Sequence, residues 1–127
     1  MLGKPNFKKI PESVDVVIGP GATFKGNLKC DGSIKVDGEV VDSVLETPGN
    51  VVISPEARAN CEIKADVVSI SGAFKGKIEA RRVEVVQGGK VFGEVHVDSF
   101  LIEEGGFFSG GLFMRSEAPA DPFANYS

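Results

Sequence analysis

Tryptophan is absent from the 127 residues, histidine occurs once and cysteine twice. Metal centres gather three or four His, Cys or carboxylate ligands at close spacing. The lone His96, set between Val95 and Val97 and pointed outward by strand alternation, has no such company. Neither a metal nor any other cofactor is expected. Cys30 and Cys61 follow no apolar leader, because Met1-Leu2-Gly3 is too short for the h-region of a signal peptide. They are expected as reduced thiols of a cytoplasmic protein, behaving as small buried hydrophobes. No run approaches the roughly eighteen apolar residues of a membrane-spanning helix. A basic excess is missing too: net charge is −4, split as +3 on residues 1–9, −6 on 10–114 and −1 on 115–127. An acidic body lacks a phosphate-binding footprint, so nucleic acid is not an expected partner. Gly88-Gly89-Lys90-Val91 and Gly76-Lys77-Ile78 lack P-loop spacing and its Ser/Thr, which excludes a nucleotide site of that kind.

What the chain has is Val, Ile, nine Phe and sixteen Gly, a mixture suited to strands and tight turns. It also has a repeat. Phe24-Lys-Gly26-Asn-Leu28, Phe74-Lys-Gly76-Lys-Ile78, Val91-Phe-Gly93-Glu-Val95 and Phe108-Ser-Gly110-Gly-Leu112 share one pattern, and Val40-to-Val44 and Ala59-to-Ile63 fit it more loosely. Take Leu28, Val44, Ile63, Ile78, Val95 and Leu112 as anchors. Six residues earlier stand Ala22, Gly38, Ala57, Gly72, Gly89 and Gly106, always Gly or Ala. Ten residues earlier stand Ile18, Ile34, Ile53, Val68, Val85 and Ile102, always Val or Ile.

Columns of this kind are side-chain ladders. Strands alternate faces with period two, so three inward pairs six residues apart describe three short faces around a coil. The expectation is an all-β solenoid of about six turns with a triangular cross-section, spanning 14–114 between disordered tails at 1–13 and 115–127. The Gly/Ala column marks a corner with no room for a larger side chain. Gly26, Gly76, Gly93 and Gly110 mark a second tight position, where Asp42 and Cys61 stand in. A strict hexapeptide helix has eighteen residues per turn, whereas these turns are irregular, with an insertion at 47–50; this favours a right-handed coil. A hexapeptide acyltransferase or a γ-type carbonic anhydrase needs a set of His between its turns, and one His is too few. No enzyme activity is expected.

Val17-Ile-Gly-Pro-Gly-Ala22, Asp31-Gly-Ser-Ile-Lys-Val-Asp-Gly-Glu-Val40 and Val67-Val-Ser-Ile-Ser-Gly72 closely resemble the bactofilins. The resemblance runs from Val14 to Met114. It implies a right-handed triangular parallel β-helix that polymerises without nucleotide into non-polar filaments. It also implies association with the inner face of the cytoplasmic membrane and positioning of cell-wall enzymes or morphogenetic proteins. The tail after Met114 is shorter than the Pro-rich extensions of some members.

Function is then expected at the ends. A solenoid exposes an unpaired strand edge at each end unless polar caps cover it. The last turn carries Phe100, Phe107, Phe108, Leu112 and Phe113, with Phe100 and Phe108 inward and Phe107 and Phe113 outward; the first opens on Val14, Val16 and Val17. These residues are the expected homopolymer interface. Met1, Leu2, Lys4, Phe7, Lys8 and Lys9 form an apolar and basic tag expected to touch an anionic membrane, weakly per copy and effectively when a filament repeats it. Asp31, Asp66 and Asp98 stack in one column as turn residues rather than a calcium row. Phe123 and Tyr126 in the tail are read as incidental. The flanks, with Lys25, Lys75, Lys77, Glu79 and Glu94, are expected to be of mixed charge without a large apolar patch. A monomeric adaptor binding one partner through a flat face is the alternative.

Overall fold

The computed structural model describes residues 14–115, and all regular structure in them is β. The first turn is β1 (Val14–Ile18) and β2 (Thr23–Lys29); the second is β3 (Ser33–Val36) and β4 (Glu39–Glu46). The third joins β5 (Asn50–Ile53) to the start of β6 (Arg58–Ile70), whose end runs into the start of β7 (Ala73–Val85) as the fourth. The end of β7 with β8 (Lys90–Val97) makes the fifth, and β9 (Ser99–Ile102) with β10 (Phe107–Met114) the sixth. Every pairing between turns is parallel. The chain is a six-turn parallel β-solenoid, as the column rules predict. The tails at 1–13 and 116–127 lie outside the described residues.

Five continuous ladders fill its axis. On the first face Val16, Ile34, Val51, Val68, Val83 and Phe100 stack, beside Ile18, Val36, Ile53, Ile70, Val85 and Ile102. On the second, Phe24, Val40, Ala59, Phe74, Val91 and Phe108 stack. The third carries Leu28, Leu45, Ile63, Ile78, Val95 and Leu112, with Cys30, Thr47, Ala65, Ala80, Val97 and Met114 two residues further on. In the middle turns these side chains are buried, Ala65 only partly, and each Val, Leu, Ile or Phe among them contributes about 1.5–3 kcal/mol.

Two sequence expectations need correction. The second-turn anchor is Leu45, not Val44, because Asp42 is an extra residue: its φ is 47°, the register slips between Val41 and Ser43, and the next position moves by one. Ser43 is thereby buried, its hydroxyl donating to the Val41 carbonyl (2.7 Å) and accepting from the Gly26 amide (3.1 Å). The Val/Ile column, likewise, mixes two ladders. Ile34 and Val68 stack with Val51 and Val83, not with Ile18, Ile53, Val85 and Ile102. The cause is the first corner, which comes in two lengths. Four turns use five residues closed by a tight turn, as in the Ala22 amide to Gly19 carbonyl bond (3.0 Å). Turns two and four use three, Asp37-Gly38-Glu39 and Ser71-Gly72-Ala73.

The Gly/Ala column stands where expected. The carbonyls of the first five members accept from the next turn, as in Arg58 to Gly38 (3.0 Å) and Lys90 to Gly72 (2.8 Å). A Cβ on Gly38 would lie 2.1 Å from the Gly19 carbonyl oxygen, and one on Gly72 would lie 2.3 Å from that of Ser54.

Candidate functional site

Both ends of the stack are open. Among the described strands β1 and β2 pair only toward the second turn, and β9 and β10 only toward the fifth, so each end presents a row of unsatisfied backbone donors and acceptors. The ladders are open there too. Ladders that are 0% exposed mid-stack end at Ile102 and Leu112, each 41% exposed, and the ladder through Ala80 and Val97 ends at Met114, 54% exposed. At the other end Val16, Phe24, Leu28 and Cys30 are only partly covered.

Seven of the eight expected interface residues divide into two sets. Val16, Phe100, Phe108 and Leu112 are ladder ends facing along the axis, with the Phe100 and Phe108 rings edge to face at 5.5 Å. Val17, Phe107 and Phe113 project from the flanks instead. Val14 begins β1 opposite Ser33. Ile102, Met114, Phe24 and Leu28 belong with the first set and were readable from the same ladders.

The flanks carry one feature not named from the sequence: Phe92 and Phe107 form an exposed aromatic pair with centroids 5.4 Å apart, a small apolar patch near the last turns. Phe92 follows the inward Val91 as Lys75 follows Phe74, so alternation turns it outward, and its register with Lys75 agrees. His96 is not isolated either. It stacks on Phe113 at 4.7 Å, and its Nε2 lies 3.2 Å from a Glu94 carboxylate oxygen.

Other candidate chemistry has structural employment. The aspartate column is interleaved with arginines: Arg81 Nε meets Asp66 at 2.9 Å and Arg115 Nε meets Asp98 at 3.5 Å. Hydrogen bonds from Ser54 and Lys35 hold the Asp37 carboxyl below the ordinary carboxylate range. Cys61 is buried between Ser43 and Gly76 in the stack, and burial pushes its thiol up to about 12. An open-chain thiol ionises nearer 9, so folded-state stability falls as pH rises through that interval. In the native protein at pH 8, iodoacetamide is expected to modify Cys30 and leave Cys61 untouched, with both labelled in denaturant. Equal native labelling by mass spectrometry contradicts this.

No curated protein sequence matches the chain. Among solved structures it is similar to a bactofilin of Thermus thermophilus from a cryo-EM reconstruction of double helical filaments. The TM-score is 0.70 and the identity 23%, over 79% of this chain and 99% of that one, a likeness of fold. The family model described as "Bactofilin: Polymer-forming cytoskeletal" matches residues 16–112, which takes in nearly the whole stack and both open ends. With its solenoid, its open rungs and that match together, the chain belongs to the bactofilins, polymer-forming proteins of the cytoskeleton.

Proposed function

We propose that the protein polymerises end to end through its two open rungs, without nucleotide, into filaments at the inner face of the cytoplasmic membrane. There it would position cell-wall or cell-shape machinery. The observation that carries the reading is the pair of uncapped ends, where backbone edge and apolar ladders stop together. Joining two ends continues the pairing and stacking already repeated inside the molecule. Six rungs about 4.8 Å apart give an axial repeat near 29 Å per subunit. Electron microscopy of the purified protein without nucleotide or metal should show filaments with that repeat. Monomers at tens of micromolar would contradict it and favour the adaptor reading, for which the Phe92–Phe107 patch is the specific support.

The membrane role rests on the resemblance and on residues 1–9, which lie outside the described residues. Three lysines near an anionic surface are worth about 1 kcal/mol each, too little for one copy but enough for a polymer. Deleting residues 1–9 is expected to abolish sedimentation with phosphatidylglycerol vesicles while filaments persist. Unchanged co-sedimentation removes the membrane role.

A further inference from the structure

The third face carries an open groove of about 730 Å³ along the first four turns. Its floor is the ladder Cys30, Thr47, Ala65 and Ala80. The same ladder ends in Val97 and Met114, so the groove exists where this column is small and closes where it becomes large. Elsewhere in the solenoid the axis-lining columns carry mostly Val, Ile, Leu or Phe, and the depression beside Ala59 on the second face is smaller, about 250 Å³.

Arg115 already enters this groove. Its amide continues the pairing of β10, donating to the Val97 carbonyl (2.7 Å). Its side chain, however, turns down the stack: the guanidinium passes Asp98 (3.5 Å) and donates to the Ala80 carbonyl (2.8 Å), thirty-five residues back in the sequence. The last described residue of the chain therefore stands at the groove's upper end. Twelve more follow, Ser116 to Ser127.

We propose that the groove seats this C-terminal segment, with Phe123 over the small floor formed by Cys30 and Thr47. The lengths agree. An extended chain covers about 3.3 Å per residue, so Phe123 stands within roughly 26 Å of Arg115. The descent from the sixth turn to the first is about 24 Å. Pro119 and Pro122 favour the extended backbone a narrow groove requires. Ala118, Ala120 and Asp121 are small enough to pass between the walls. Those walls carry both signs, Lys29 and Lys64 against Glu46 and Glu79, which suits a short segment of low charge better than a nucleic acid or a lipid surface. Phe123 thereby acquires a role that its sequence context does not suggest.

Cys30 lies on the floor and gives the test a native handle. In the full chain, Ala124→Cys is expected to form an intrachain disulfide with Cys30 on mild oxidation. Adding Phe123→Ser is expected to slow that link about tenfold, since the tail then finds Cys30 only by chance. Mixing isotopically labelled with unlabelled protein separates intrachain from interchain links by peptide mass. Equal rates with and without Phe123 overturn the proposal. So does a predominantly interchain link, which makes a neighbouring copy the occupant, or a faster link from Phe7→Cys, which makes it the N-terminal segment.

Discussion

Gly93→Ala is expected to cost about 4 kcal/mol or more and to lower the melting temperature by some 15–30 °C. Two effects combine. The φ of Gly93 is +134°, a region where L side chains are strained by about 1–3 kcal/mol. In addition its Cβ would lie 2.0 Å from the carbonyl oxygen of Gly76, one turn below. That oxygen belongs to the backbone of the stack, held in register with Gly93 and itself stacked on Cys61. It cannot retreat without opening the ladder. Gly26→Ala separates the two effects within one protein. Gly26 has a similar φ, +126°, but stands in the first described turn, and none of the described residues lies within 4 Å of its Cβ position. Its loss should be confined to the strain, a few degrees to about 15 °C. Thermal unfolding by circular dichroism measures both, and equal losses would mean that the close approach between turns contributes nothing.

The same comparison explains which parts of the fold are legible in the sequence. Where a Cβ would strike the carbonyl of the turn below only Gly fits, as at Gly38, Gly72 and Gly89, while Ala22 and Ala57 hold the column in two other turns, so this corner is written directly into the sequence. Ladder positions accept any apolar residue of similar size, and so carry weaker information. Val44 and Leu45 are equally plausible anchors on composition; only the left-handed backbone at Asp42 decides between them. Ile34 and Val36 are both inward, and the three-residue corner that assigns each to its ladder is visible only as a missing pair of residues. Phe92 is legible by contrast, since the period of the strand turns it outward; what the sequence does not show is that it meets Phe107 there. The groove is not legible in the sequence because it is a deficit of volume, spread over Cys30, Thr47, Ala65 and Ala80, and not a motif.

Every turn inside the molecule is covered on both sides by another of the same kind, so the interior itself describes a satisfactory joint. Phe74 lies between Ala59 and Val91 and is buried; Phe108 rests on Val91 with no described strand beyond it. A subunit placed against the last turn would do for Phe108 what Val91 does for Phe74. The relation also says which substitutions should harm assembly without harming the fold. A ladder end has only one neighbour to lose, whereas a mid-stack residue has two and its loss reaches the core.

Phe108→Arg is therefore expected to raise the critical concentration for filaments by about three orders of magnitude while leaving the monomer folded. In the free subunit the guanidinium can extend along the axis into water, with its stem covering Val91, so the cost to the fold is the lost contact with Phe100 and some ring burial. In a joint the charge would be enclosed between apolar rungs of two subunits with no counter-ion among Ile102, Leu112 and Met114. Forgoing the burial of a Phe costs about 1.5–3 kcal/mol, and an unpaired enclosed charge adds several more. Each 1.4 kcal/mol is tenfold in the joint's dissociation constant. Phe92→Arg makes the same chemical change on the flank, away from the axis, and should leave end-to-end growth nearly unaltered. Sedimentation over a concentration series, with negative-stain microscopy and a melting curve for each variant, compares the two directly. Filaments of Phe108→Arg at the parental critical concentration would place the joint elsewhere. Loss of filaments in Phe92→Arg alone would move it to the flank, because the two substitutions differ only in whether the new charge faces along the stack or away from it.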